Sequence, residues 1–281
     1  MARIRVRKKR KRGKLFLMGM LLLILLFLGG QVLSGLADMY RMHKAKAGGE
    51  GGVSAGGTSS TSFWQKKEQN KRPSWLTDEY PDELIELYER NPETKSFVKN
   101  YFKEKDIKHK IDISQEVGAG YYPYFYQWDK RWGYETYGDD MIALTGCGPV
   151  CLSMVLCKLR SDSQYDPLTV ANMADNNGYY VAGSGSSWSL MDEGAALYGL
   201  NSYAVPFNEN GIREELLNGH PIICVVGPGT FTTTGHFIVI CGIADDGNMI
   251  IRDPNSKEKS NMTWPLSELM GQIQNLWSYS L

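Results

Sequence analysis

The sequence predicts an α+β domain in the later part of this 281-residue chain, and three observations carry that reading. The apolar run from Val150 to Leu159 has the length and continuity of a buried helix. The C-terminal third holds short runs of β-branched and apolar residues instead, which read as strands. The two kinds of segment come in blocks, helices first and strands after, whereas strict alternation would have meant a parallel α/β sheet.

Taken in order, the chain begins with a charge asymmetry. Nine of its first fourteen residues are Lys or Arg, and no acid precedes Asp38. The formal net charge of zero hides this: without those nine, 22 basic residues face 31 acidic ones, so the remainder carries about −9. An acidic body argues against nucleic acid as a partner. So does the segment that follows the basic run, because from Leu15 to Ala37 only Gln31 and Ser34 are clearly polar. About 20 apolar residues are enough to cross a bilayer, and a basic N-terminal flank stays in the cytoplasm. Residues 1–14 are therefore read as a basic cytoplasmic segment and 15–37 as a transmembrane anchor. That makes the membrane a partner and predicts a single-pass protein of the cell membrane with its domain outside. A cleaved signal segment, with Gly35 and Ala37 at the cleavage site, is the alternative and would leave the domain secreted.

Residues 38–75 are read as a flexible spacer, since Lys44 to Ser62 is rich in Gly, Ser and Ala with few large apolar groups. Residues 76–112 form a helical preface. Leu84, Leu87 and Tyr88 lie on one stripe and Phe97, Val98, Tyr101 and Phe102 on the next, and these stripes are expected to pack against the later domain. Between them Asn91 is a good N-cap and Pro92 is pre-shaped for a first helical position, so the helix breaks and restarts there.

Residues 113–281 make the main domain. An aromatic segment, Tyr121 to Tyr137, leads to Thr145-Gly-Cys-Gly-Pro149 and the buried helix. A loop-rich middle with Gly183-Ser-Gly-Ser-Ser-Trp188 and a helical Leu190 to Tyr198 follow. Strands are predicted over Pro221 to Val226, His236 to Ile243 and Asn248 to Arg252, the last two joined at Asp245-Asp-Gly247, a strong hairpin signal. A tight turn at Asp246-Gly247 would pair Asp245 with Asn248 and place positions 253 and 255 on the same face as 236.

Five cysteines leave at least one thiol without an intramolecular partner. Cys224 and Cys241 lie in apolar runs and read as buried side chains, with a bond between them left open. Cys151 and Cys157 lie inside the helix and read the same way. Cys147 differs, because Pro149 fits a first helical turn and so puts Cys147 at the helix start, where unpaired N–H groups and the helix dipole favour a thiolate. Such a nucleophile needs a base and a group to hold that base. Of the four histidines only His236 begins a buried strand, with Asp253 and Asn255 both placed to orient its ring.

The set Gln127-Trp-Asp-Lys-Arg-Trp132, Gly146-Cys-Gly-Pro149, Gly235-His-Phe-Ile-Val239 and Asp253-Pro-Asn255, in that order, resembles the C39-like cysteine peptidases of the papain-like superfamily. The segments Tyr80-Pro-Asp-Glu-Leu-Ile and Asn91-Pro-Glu-Thr are similar to stretches ahead of such domains in exported bacterial members. The resemblance implies a papain-like α+β fold with the nucleophile at a helix N-terminus and the His and Asp on an antiparallel sheet. It implies Cys147 as nucleophile, His236 as base, Asp253 as orienting acid and Gln127 in the oxyanion hole, acting on a peptide or protein substrate. One departure stands out: the superfamily places that Gln a few residues before the Cys, whereas Gln127 precedes Cys147 by twenty, so Trp128 to Leu144 has to loop out. Cell-wall amidase or acyl-transfer chemistry would use the same constellation, and a non-catalytic surface-binding module would keep the same fold.

Trp132 and Trp188 read as core or cleft walls. The loop Gly227-Pro-Gly229 to Phe231-Thr-Thr-Thr234 is expected to wall the cleft beside His236, with threonines for a peptide backbone. No dinucleotide fingerprint or phosphate loop is present, and the cysteines and histidines lack zinc spacing, so neither a cofactor nor a metal is expected.

Overall fold

The computed structural model describes residues 72–118 and 122–281. The basic segment 1–14, the apolar segment 15–37 and the spacer as far as residue 71 lie outside the described residues. Among the described residues no helix is long and apolar enough to cross a membrane. Residues Gln69–Leu281 form one compact unit that holds both the helical preface and the domain after it.

The preface consists of α1 (Asp82–Arg90), a 3₁₀ turn (Pro92–Thr94) and α2 (Lys95–Lys99). The Asn91 side chain accepts from the Glu93 N–H at 3.1 Å and Pro92 opens the turn, so the restart is built from the two residues that the sequence offers for it. Leu84, Leu87, Phe97 and Val98 pack with Trp128, Tyr134 and Ala143 of the later chain, the Phe97 ring stacking on Tyr134 at 4.0 Å. Phe102 departs from its expected stripe and is half exposed. Asn100 separates α2 from the single helical turn Tyr101–Glu104, so the 3.6-residue phase set by Phe97 and Val98 does not continue through Phe102.

Helix α3 (Cys147–Arg160) is buried at every residue from Gly148 to Cys157, as expected of a helix that is apolar all round. Helix α4 (Pro167–Asn176), capped by the Asp166 carboxylate, packs against it. A six-stranded antiparallel sheet follows: β1 (Asn201–Ala204), β2 (Ile222–Val226), β3 (His236–Ile243), β4 (Met249–Arg252), β5 (Thr263–Trp264) and β6 (Ile273–Ser280), in spatial order β1-β6-β2-β3-β4-β5. Both faces of the sheet are covered. Ile223, Val225, Phe237 and Val239 meet the α3 side, while Ile222, Cys224, Ile238 and Ile240 meet α5 (Glu209–Leu217) and Leu266. Burial on both faces explains why these strands read as continuous apolar runs instead of alternating ones.

The β3–β4 hairpin is not the tight turn that the sequence suggests. Ala244, not Asp245, bonds Asn248, which gives a three-residue loop, and a bulge at Cys241 shifts the register again between Ile240 and Gly242. Each change displaces the pairing by one residue. Because side chains alternate with period two, two single shifts restore the face, and positions 236 and 253 share a side as expected although the turn does not. All five cysteines are free. Cys224 and Cys241 cannot meet across the sheet, since one belongs to the α5 face and the bulged other packs on the α3 face.

Candidate active site

Cys147 is the first residue of α3, where Gly146 supplies no side-chain cap and Pro149 has no N–H to satisfy. The first-turn amides are thus available to whatever charge sits there. Glycine on both sides is a steric requirement. A Cβ on Gly146 would fall 2.6 Å from the Ile142 carbonyl, and one on Gly148 would fall 2.5 Å from Ser186 Oγ. Ser186 in turn shares a 2.9 Å hydrogen bond with the buried Tyr137 hydroxyl. These two residues back the turn that carries Cys147, and sequence reasoning missed them; the absent side chain at Gly148 was the only local signal.

His236 opens β3 opposite Val226 and is buried. Its Nε2 and Asp253 Oδ1 lie 2.7 Å apart, which leaves Nδ1 as the ring nitrogen available to the Cys147 thiol. Asp253 is 1% exposed, and Oδ1 also accepts from the Asn255 N–H at 2.8 Å. Of the two orienting candidates it is therefore Asp253 that meets the imidazole. The Asn255 side chain turns instead to Asn91, whose Nδ2 lies 3.4 Å from its Oδ1.

The electrostatics separate Cys147 from the other thiols. Burial pushes its thiol up, but the hydrogen bond and charge of His236, with backbone hydrogen bonds at Phe237 and Gly148, outweigh that and hold it below the usual thiol range. Burial pushes His236 down, and the charge and hydrogen bond of Asp253, followed by Cys147, outweigh it and raise the ring to about 10. For Cys151, Cys157, Cys224 and Cys241 burial prevails and the thiols are pushed up. Cys151, one turn beyond Cys147, donates to the Phe237 carbonyl at 3.3 Å and so ties α3 to the strand that carries His236.

Gln127 is buried. Its backbone N–H donates to the Pro254 carbonyl at 2.8 Å, and its Nε2 donates to the Ala143 carbonyl at 2.7 Å, one helical turn before Cys147. The segment between Gln127 and Cys147 folds back on itself through the Ile142 N–H to Glu135 and the Ala143 N–H to Gly133, with Trp132 in the core. One hydrogen of the Gln127 amide remains beyond the bond to Ala143. In the 227–235 loop, Thr230 N–H donates to the Gln272 side chain at 2.6 Å and Phe231 is buried against Trp264. Trp188 is 45% exposed, with its edge on Trp277. A thiol and imidazole poised to exchange a proton, with a carboxylate behind the ring, form an arrangement able to attack a carbonyl carbon.

A model of the Peptidase_C39 like family matches residues 120–280, more than half of the chain. Among solved structures, the peptidase domain of Streptococcus ComA, described as a bi-functional ABC transporter involved in a quorum sensing pathway, is 18% identical. That match covers 48% of this chain and 91% of that one, at a TM-score of 0.38. A chain from Bacillus anthracis described as a C39-like peptidase is 16% identical over 62% of this chain and 98% of that one, at a TM-score of 0.35. No curated protein matches.

Proposed function

The chain belongs to the Peptidase_C39 like family, and from that premise we propose that it is a cysteine peptidase whose catalytic residues are Cys147, His236, Asp253 and Gln127. The observation that carries this reading is the contrast among the cysteines: only Cys147 has its thiol lowered, and the cause is His236, itself held by Asp253 at 2.7 Å. The Cys147 thiolate attacks the substrate carbonyl carbon, and the charge that develops on oxygen is met by the Cys147 backbone N–H and the free hydrogen of the Gln127 amide. The His236 imidazolium protonates the leaving amine as the C–N bond breaks, leaving a thioester. Water, deprotonated by the same ring, then releases the acid and restores the thiol. The substrate class is a peptide or protein. The basic and apolar N-terminal composition supports a single-pass anchor with this domain outside the cell membrane.

The test is site-resolved mass spectrometry after exposure to a peptide-based thiol-reactive probe, with Cys147→Ala and His236→Ala beside the native chain. Modification at Cys147 that depends on His236 supports the peptidase. A folded protein with Cys147 unmodified would assign the site to binding instead. Gln127→Ala is expected to lower turnover about 10² to 10³-fold, and an unchanged rate removes Gln127 from the oxyanion site.

A further inference from the structure

Asp253 sits in a short connection between β4 and α6 (Lys257–Ser260), where the Asn255 N–H donates to Asp253 Oδ1 at 2.8 Å and the Ser256 N–H to the Asp253 carbonyl at 3.3 Å. The Asp253 N–H donates to Ser260 Oγ at 2.7 Å, and the Ser256 hydroxyl accepts from Lys259 N–H at 3.2 Å, which leaves the first two amides of this four-residue helix without a local partner. Glu93, from the 3₁₀ turn more than 160 residues earlier, supplies it. Its Oε2 accepts from the Lys257 N–H at 2.9 Å, and its Oε1 accepts from the Ser256 hydroxyl at 2.8 Å and the Glu258 N–H at 3.3 Å. Asn91 holds the other side of the same turn. Its Nδ2 donates to the Asn255 carbonyl, which also takes the Trp128 indole N–H at 3.1 Å, while its Oδ1 fixes Glu93 through the Glu93 N–H. A carboxylate that closes a helix N-terminus and three donors at once forms charge-assisted bonds stronger than neutral ones.

Both residues lie ahead of the region that the family model matches, which begins at residue 120. We propose that Asn91 and Glu93 are positioning residues that hold the Asp253 turn, and through Asp253 the His236 ring, so that the helical preface completes the active site of the domain that follows it. This inference rests on the catalytic reading of Cys147, His236 and Asp253. The chain of dependence is short: if the turn relaxes, Asp253 no longer fixes His236, the ring loses its charge partner, and the Cys147 thiolate loses the imidazolium that lowers its pKa.

The experiment is the pH dependence of Cys147 alkylation by iodoacetamide, followed by mass spectrometry in the full chain, for the native protein, Glu93→Ala, Glu93→Gln and Glu86→Ala. Glu86 lies on α1 outside the clamp, where its partner among the described residues is Arg90, across an exposed turn. The expected result is that Glu93→Ala moves the acid limb upward by about one pH unit, a roughly tenfold slower alkylation on that limb. Glu93→Gln, which keeps one carbonyl acceptor, recovers part of the shift, and Glu86→Ala leaves the limb in place. Should Glu93→Ala not fold, Asn91→Ser carries the same test, since serine keeps an N-cap acceptor for the Glu93 N–H and withdraws the amide donor to Asn255 without adding a charge. A folded variant with lowered thermal stability and an unmoved limb makes the clamp merely structural and overturns the proposal. A native chain whose Cys147 reacts like an ordinary thiol overturns the catalytic reading itself, and this inference with it.

Discussion

At the level of single residues, the pair proposed to carry the chemistry would also set its pH range. Cys147 lies below the usual thiol range, chiefly against its own burial and by virtue of His236, so its thiolate persists as pH falls and is lost only below that lowered value. His236 is raised to about 10, so the imidazolium needed to protonate a leaving group persists until pH approaches that value and is lost above it. Peptidase activity against pH is therefore expected to be bell-shaped, with its acid limb set by Cys147 and its alkaline limb by His236, both belonging to the coupled pair. Initial rates across the range check this. An alkaline limb near pH 6.5, where an unperturbed histidine titrates, would mean that Asp253 does not hold the ring.

Elements matter here through the closeness of their backbones. The turn of α3 at Gly148 lies against Ser186 with no room for a methyl group, since a Cβ there would come within 2.5 Å of Ser186 Oγ and 2.8 Å of its Cβ. Gly148→Ala is accordingly expected to cost about 1–3 kcal/mol, as overpacking does. It should also slow Cys147 alkylation, because the helix start and the Tyr180–Ser186 ribbon are pushed apart. Shaving the opposing side chain with Ser186→Gly should return much of the loss, so a double-mutant cycle by thermal denaturation and alkylation rate decides whether the contact is the cause. Equal losses in the single and double variants would place the effect elsewhere. Packing of α3 on β3 follows the same logic, with the Cys151 thiol on the Phe237 carbonyl fixing the height of the helix against the strand.

Considered as a whole, the molecule packs its preface over more than the Asp253 turn. Leu84, Leu87, Phe97 and Val98 are buried against Trp128, Tyr134 and Ala143. Removing the preface would uncover Trp128 and Tyr134, large aromatic side chains that the preface shields from water. A chain starting at residue 113 is therefore expected to be unfolded or aggregated, whereas one starting at residue 69 should show a single cooperative transition. Circular dichroism melts of the two truncations test this, and a stable fold from residue 113 would show that the preface adds only local restraint.

Much of this was legible in the sequence, because it depended on spacing along the chain. The helix at Cys147 was written by Pro149 and an unbroken apolar run, the restart at Pro92 by Asn91, and the strands by their β-branched runs. Cys147 and His236 stood out for the same reason, as the cysteine at a helix start and the histidine at a strand start. What lay beyond reach were contacts between residues far apart, since no local pattern encodes them. The hairpin turned at the wrong residue, and positions 236 and 253 came to one side only because the bulge at Cys241 offset the slip. The choice of Asp253 over Asn255, the folding back that brings Gln127 to Ala143, and the closure of the Asp253 turn by Glu93 were decided by tertiary structure alone. Periodicity fixes which face of an element is apolar, but where a carboxylate meets an imidazole depends on registers and docking heights that exist only once the elements have packed.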